Sequence, residues 1–467
     1  MRSESVPSRR APWLLEARAM LVLAWPLVFS QLAQAAFFTT DVVLMGWLGA
    51  RSLAGMSLAM ALLSPLLVGG FGVLMATAPM VAQAIGARQI KSVRRTVRQG
   101  LWVAIALSAV IVPILIGAEH IFPLLGQPAE AADLAALYLD FGAYSVPPAL
   151  GFMVFRLFIS AKGNTGAVLA IVVVAVVVNG FLAYGLIFGA AGLPALGIVG
   201  AGIATSIANW LMLGLGAAYA VIHPKYRRHF VLVRFFKPDW PRFFEVFRIG
   251  APIGLTQISE VGLFGLAVFM MGWIGADSVA AHAIAVQCAS LSFMVPLGLA
   301  QATTIRVGLA EGARDRARVG RAGWIALILT LMFMSTTFTL FVFAPRHLAV
   351  LFLDPARPEN IAVIELAMSY LVVAGLFQFF DGTQVAMASA LRGLSDTRKP
   401  MLVAMIGYWV VGLGTAYLCG FVLDWRGVGV WTGLAAGLGF VAIVLTVRWS
   451  RRERLGLVAA SPLPAGR

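Results

Sequence analysis

Twelve long apolar runs, separated by short polar segments, limit what this chain can become. They cover residues 19–46, 53–83, 99–118, 134–155, 165–189, 196–222, 246–273, 278–305, 322–344, 361–391, 400–420 and 427–447. A bilayer-crossing helix needs roughly 20 mainly apolar residues, and each run supplies about that many. Hydrocarbon offers no water to pair with backbone N–H and C=O groups, so runs of this length must be α-helical. An all-α polytopic membrane protein with twelve transmembrane helices is expected. Composition agrees, with 60% hydrophobic and 12% charged residues, about half the roughly one quarter charged in a soluble domain. Pro26, Pro65, Pro252 and Pro296 fall inside runs. Bends or tilts are expected there, with Pro26 as the bend of the first helix.

The charge lies between the runs, and its distribution gives an orientation. With both termini on the cytoplasmic side, 31 of the 35 Lys and Arg residues lie on that side, leaving only Arg51, Arg346, Arg357 and Arg426 outside. This is a strong positive-inside bias, which one extra or missing span would scramble. A multi-pass protein of a bacterial-type cytoplasmic (inner) membrane is expected. The net charge of +15 is then explained without a nucleic-acid partner. The leading MRSESVPSRRAPWLLEAR is basic, but the apolar run behind it is too long for a signal peptide and is read as retained. Cys288 and Cys419 sit inside apolar runs and read as core residues.

The chain also repeats itself. MGWLGARSLA from Met45 returns as MGWIGADSVA from Met271, with seven of ten positions identical at an offset of 226. The same offset lays Pro26 on Pro252, Gln31 on Gln257 and Gly86-Ala87-Arg88 on Gly312-Ala313-Arg314. Six spans separate the copies, an even number, so both halves enter the membrane in the same orientation as parallel six-helix repeats. The expected organisation is a cytoplasmic tail 1–18, an N-lobe 19–222 holding helices one to six, a basic linker 223–245, a C-lobe 246–447 holding helices seven to twelve, and a cytoplasmic tail 448–467. The linker sequence HPKYRRHFVLVRFFKPDWPR reads as a solvated cytoplasmic loop touching anionic lipid.

Acidic residues within spans are expensive and ask for a reason. Asp140 and Glu365 lie near outer helix ends, where they reach water or a helix start. Asp41, Glu260 and Asp381 lie deeper, in FFTTDVVLM, QISEVGLFG and FQFFDGTQV, and no Lys or Arg shares those spans at comparable depth. One reading satisfies them with neutral neighbours: Thr39, Thr40, Gln257, Ser259 and Gln384. The other makes their counter-charge mobile, whether a proton, a sodium ion or an organic cation. Such cations compete for one small acidic site, and competition at a site open to one side at a time is exchange. A membrane potential worth about 2.3 kcal/mol per charge per 100 mV favours inward flow of the small cation. The repeat sharpens this, because Asp41 lies opposite Ala267 and Glu260 opposite Gln34, which has Glu's shape without its charge.

Other polar residues carry blander readings. His282 is a core or interfacial histidine, and Arg156, Arg306 and Arg392 are read as snorkelling from inner helix ends. Asn179 and Gln34 serve equally as interhelical glue or as ligands. No Walker motif is present, so ATP is not a direct fuel. No hydrolase elbow or metal-ligand cluster is visible, and neither enzymatic chemistry nor a cofactor is expected.

With these features together, the chain resembles the multidrug and toxic compound extrusion (MATE) family, in its NorM-like branch, from about residue 20 to 450. The segments that carry the resemblance are PLVFSQLAQAAFFTTDVVLMGWLGA, GAPIGLTQISEVGLFGLAVFMMG, AAHAIAVQCASLSFMVPLGLAQATTIRVG and FQFFDGTQVAMASALRGLSDTRKP. The resemblance implies two six-helix lobes around a central cavity. It also implies export of amphipathic, often cationic organic compounds in exchange for sodium ions or protons. NorM-like members use a span-seven Glu and a span-ten Asp as the C-lobe cation site; Glu260 and Asp381 stand there, with sodium the only metal implied. Asp41 matches the N-lobe acid for proton or substrate, and Asn179 a span-five Asn nearby. Some relatives place a second acid one turn after that Asn, where this chain has Ala183, which shifts weight to the C-lobe pair. The expected partners are small organic molecules and lipid, with the protein a monomer. Two other readings are a lipid-linked saccharide flippase of related architecture and a major facilitator-type transporter. The deep acids argue against the first, which favours a basic cavity, and their choice of spans argues against the second.

Overall fold

The computed structural model describes residues 11–227, 229–233 and 235–459. Residues 1–10 and 460–467 of the expected tails, and Arg228 and Arg234 of the linker, lie outside the described residues. Among the described residues there is no strand, and twelve helices are long and apolar enough to cross a membrane. They are α1 (Pro12–Leu48), α2 (Ala50–Gly86), α3 (Ile90–Ile116), α4 (Ala129–Ala161), α5 (Thr165–Phe188), α6 (Ile198–Ile222), α7 (Trp240–Ile274), α8 (Ala276–Gly312), α9 (Arg316–Phe343), α10 (Pro358–Gly393), α11 (Arg398–Val422) and α12 (Arg426–Ser450). Each expected run falls on one of them. Several helices extend beyond their runs by polar turns, as at IKSVRRTVRQG opening α3. Hydropathy marks only the hydrocarbon layer, whereas the helix continues into the headgroups.

The repeat is visible in the backbone. At the offset of 226, α1 and α7 end together, α2 and α8 begin and end together, and α3 and α9 begin together. Gly49 and Gly275 break the chain between these helices with φ of 136° and 149°, a region open to glycine and strained for other residues. The paired Gly-Ala-Arg motifs also acquire a cause. Arg88 and Arg314 are left-handed, with φ of 57° and 56°. The following N–H reaches back five residues, Gln89 to Ala84 O (2.8 Å) and Asp315 to Ala310 O (3.0 Å). This closure satisfies carbonyls at a helix C-terminus. Among the described residues the architecture is all-α, with twelve membrane-length helices in two six-helix repeats.

By its contacts the chain divides into two compact units, one formed by residues up to Val28 with those from Ser259 onward, the other by Phe29–Ile258. In the Phe29–Ile258 unit, α4 packs on α2, α3 and α6, and α5 packs on α6. In the other unit α10 packs on α8, α9 and α12, and α11 on α12. The same packing scheme is thus used twice. The divisions fall inside α1 and α7, a few residues after Pro26 and Pro252.

The N-terminal parts of these two helices are anchored by polar contacts. On α1, Glu16 receives Arg306 through two bonds of 2.7 and 2.6 Å, and Arg318 approaches to 3.5 Å. Arg306 is therefore committed to an ion pair with buried Glu16 instead of snorkelling. At the repeat-related position of α7, Arg242 donates to Glu245 (2.6 Å), Ser92 (2.6 Å) and Thr96 (3.2 Å).

Just before α7, Asp239 accepts from Arg95 through bonds of 2.5 and 3.2 Å. That guanidinium holds the Asp239 carboxyl below its ordinary value of 3.8. A lowered folded value stabilises the fold above the ordinary pKa and loses that contribution as pH falls through the lowered one. Asp239→Asn is expected to cost at most about 1 kcal/mol near neutral pH, since Arg95 is half-exposed, and nothing once Asp239 is protonated. Thermal unfolding of both proteins at neutral and strongly acidic pH checks this.

One helix departs from regular geometry. In α11, Ile406–Gly412 and Leu418–Val422 are wound as π-helix. This stretch packs on α12 through glycines spaced by four. An ideal Cβ on Gly433 would stand 2.2 Å from Ala416 N, and one on Gly437 would stand 2.7 Å from Gly412 Cα. Small residues at this spacing let two helix backbones touch within a bilayer.

Candidate functional site

The sequence places its deep acids in both units; Asp41 and Asp381 are buried and Glu260 is half-buried. In the Phe29–Ile258 unit, Asp41 of α1 is 2% exposed. Its Oδ1 accepts from Asn179 Nδ2 of α5 at 2.8 Å, and its Oδ2 from Thr205 Oγ1 of α6 at 3.1 Å. Tyr138 of α4 lies within electrostatic reach of the carboxylate. Asn179 Oδ1 and Tyr138 Oη are buried without a hydrogen-bond partner. The acid thus sits among neutral groups, two of which have unused oxygens. Thr39 and Thr40 do not serve it; their hydroxyls bond back to Ala35 and Ala36 carbonyls, a habit of helical threonine. Thr205 and Tyr138 are new from the structure, because helix packing and not spacing brings them to Asp41.

A second polar centre in this unit also differs from expectation. Arg156 is 3% exposed. Its Nη1 donates to Gln34 Oε1 at 3.0 Å and its Nη2 to Gln31 Oε1. It is a core residue and does not snorkel, and Gln34 is a guanidinium acceptor.

In the other unit, Glu260 of α7 meets α10 and α11. Asp381 is buried, and its Oδ1 has no hydrogen-bond partner. Gln384, one turn further along α10 and on the same face, donates from Nε2 to Glu260 Oε1 at 3.5 Å. Gln384 Oε1 accepts from the Tyr408 hydroxyl at 2.8 Å. Asp381 and Glu260 act on each other electrostatically, and Arg392, three turns beyond Asp381, acts on Glu260. Arg392 thus acts as a fixed positive charge on this acid, a role beyond the snorkelling expected of it. No Lys or Arg stands within ion-pair distance (4 Å) of Asp41, Glu260 or Asp381 among the described residues.

Among the neutral neighbours expected to satisfy these acids, only Gln384 does so. Ser259 Oγ turns to Met405 Sδ (3.3 Å) and Gln257 Nε2 to Met75 Sδ (3.6 Å). Gln378 Oε1 and Thr330 Oγ1 are further buried atoms without partners on or against this part of α10, with Thr330 packed at Gly382. Burying an ionised carboxylate without compensation is prohibitively costly, so such a site takes up a cation or a proton. Asp140 and Glu365 are exposed, and His282 is buried against Trp431 at 5.4 Å between ring centres.

Comparison with known proteins gives a consistent picture. The MatE family model matches twice, over residues 26–185 and 252–418, again 226 apart at their starts. The chain is 46% identical to a probable multidrug resistance protein NorM of Mesorhizobium japonicum, over 98% of both chains. It is 42% identical to the protein of the same name from Brucella suis, again over 98% of both. A eukaryotic MATE transporter of known structure superposes with a TM-score of 0.83 at 19% identity, covering 96% of this chain and 100% of that one. An outward-facing multidrug resistance MATE transporter does so with 0.83 at 20%, covering 95% and 96%.

Proposed function

Since the chain belongs to the MatE family, in its NorM-like branch, we propose that it is a secondary active multidrug efflux antiporter. It exports amphipathic, often cationic organic compounds in exchange for sodium ions or protons. The observation that carries this reading is Asp381: buried, one oxygen unpartnered, and no ion pair to neutralise it. A carboxylate so placed is complete only when a travelling cation joins it. Glu260, electrostatically coupled to Asp381, supplies a second set of oxygens, and hard oxygen ligands of this kind suit sodium as cargo. Arg392 partly offsets the negative charge of Glu260.

Asp41 and Asn179 form the proton or substrate site of the other unit. Asn179 and Thr205 donate to the carboxylate in its ionised form, and a proton or organic cation arriving there displaces that pattern. Pro26 lies between this segment and the inner part of α1. It lacks the N–H that an uninterrupted helix needs, which makes it the bend about which that helix changes shape. The protein works in the cytoplasmic membrane with both termini inside, as its basic residues prefer.

The deciding experiment is substrate-dependent cation flux in proteoliposomes, with sodium and pH gradients imposed separately. The antiport reading requires that one gradient drive export and that substrate accelerate the matching cation flux. Export indifferent to both gradients removes it. Flipping of a lipid-linked saccharide in the same vesicles would establish the flippase instead.

A further inference from the structure

We propose that Tyr408 and Gln384 are positioning residues that fix the Glu260 carboxylate for the coupling cation and thereby set sodium affinity and selectivity. The proposal rests on the reading of Glu260 and Asp381 as a cation site.

Three observations carry it. First, Tyr408 is buried, and the one hydrogen bond of its hydroxyl among the described residues is to Gln384 Oε1, at 2.8 Å. Phenylalanine would fill the same space without a polar atom to satisfy, so the hydroxyl serves the amide. Second, a phenol O–H occupying the amide oxygen leaves the Gln384 NH2 as the group that faces Glu260. The amide therefore has one useful orientation and presents donors to a carboxylate. Third, Asp381 and Gln384 share one turn of α10, so the helix holds the acid and the positioner of its partner in one fixed relation. Tyr408 is aimed by the π-helical segment Ile406–Gly412, which the glycine contact with α12 holds in place.

The physical consequence is a cage of defined size. Oxygen ligands held at fixed separation favour one ionic radius, whereas loose ones accept several at lower affinity. The Gln384–Glu260 bond is long, at 3.5 Å, so it orients the carboxylate and supplies little charge compensation. Arg392 of α10, the positive charge that acts on Glu260, is unchanged when Tyr408 is replaced. Gln384 is also a side-chain hydrogen-bond partner of Asp381, so Tyr408→Phe is the variant whose change in cation binding reports position.

The test is calorimetric titration of the purified protein with sodium and with lithium, alongside ethidium titration without sodium. Tyr408→Phe is expected to raise the sodium dissociation constant about tenfold, the typical scale for a group supporting a metal ligand. It also shrinks the preference between sodium and lithium. Gln384→Leu does at least as much, and Gln384→Asn, which keeps the amide but shortens its reach, behaves similarly. Ethidium affinity without sodium stays at the wild-type value for Tyr408→Phe, and its melting midpoint falls only slightly, since Gln384 Oε1 loses its donor. Retention of sodium affinity and of the sodium-to-lithium ratio in both Tyr408→Phe and Gln384→Leu, while Glu260→Gln loses binding, overturns the positioning role alone. If Glu260→Gln binds sodium as the wild type does, or the wild type binds none, the cation-site reading falls and this proposal with it.

Discussion

Asp381→Asn leaves a folded membrane protein whose export no longer responds to a cation gradient. The substitution preserves volume and exchanges one carboxylate oxygen for an amide group, so packing on α8, α9 and α12 is retained. What disappears is the charge. A buried cation that loses its carboxylate partner forfeits about 3–5 kcal/mol, and each 1.4 kcal/mol is a factor of ten. Coupled export is therefore expected to fall by at least about a hundredfold. Glu260→Gln is expected to act in the same direction. If both acids serve one cation, the double mutant is no worse than the more damaged single, because groups sharing a partner are not additive. Ethidium efflux from proteoliposomes under imposed sodium or pH gradients reads this. Wild-type export by Asp381→Asn would mean that the acid is structural.

Gly433→Val is expected to damage the fold of the unit that holds Glu260 and Asp381 severely. Its Cβ would stand 2.2 Å from Ala416 N, 2.3 Å from Ala416 Cα and 2.4 Å from Ala416 Cβ. These are backbone and near-backbone atoms, with no flexible side chain to turn aside. The two helices must part, losing the close contact that holds them together where lipid supplies no hydrophobic drive. Overpacking that side chains can absorb costs about 1–3 kcal/mol, and this site exceeds that range because backbone must move. The expected result is a sharp loss of folded, monodisperse protein and a lower melting midpoint in detergent. Gly414→Ala is the control: a Cβ there meets nothing within 4 Å, and alanine favours helix more than glycine does. Equal behaviour of Gly433→Val and Gly414→Ala would refute the close-contact account.

Much of the site is legible in the amino-acid sequence. Asp41, Glu260 and Asp381 stand out because a carboxylate in an apolar run is rare and always needs an explanation. Gln384 is visible there as one of several neutral neighbours on those runs. Its selection over Ser259 and Gln257 is not, since all three lie close to an acid along the chain and only packing shows which side chain faces it. Thr205 and Tyr138 give no signal, being 164 and 97 positions from Asp41. The arginines depart from expectation for a related reason. Arg156, Arg306 and Arg392 all sit toward the C-terminal ends of their helices, where snorkelling is the usual outcome. Yet Gln31 and Gln34, Glu16, and Glu260 in turn draw them into polar contacts or electrostatic coupling.

The fold class, the twelve spans, their repeat and the identity of the deep acids can all be read from the order of the residues. Each follows from a local or periodic property: hydrocarbon thickness sets run length, unpaired backbone groups demand helix, and an offset of 226 is countable. Tertiary structure alone decided how α1 and α7 divide between the two packing units, which neutral groups meet each carboxylate, and that α11 winds as π-helix against the glycines of α12. Those outcomes depend on contacts between residues far apart in the chain. There, burial and shape choose among partners that composition and spacing leave equivalent.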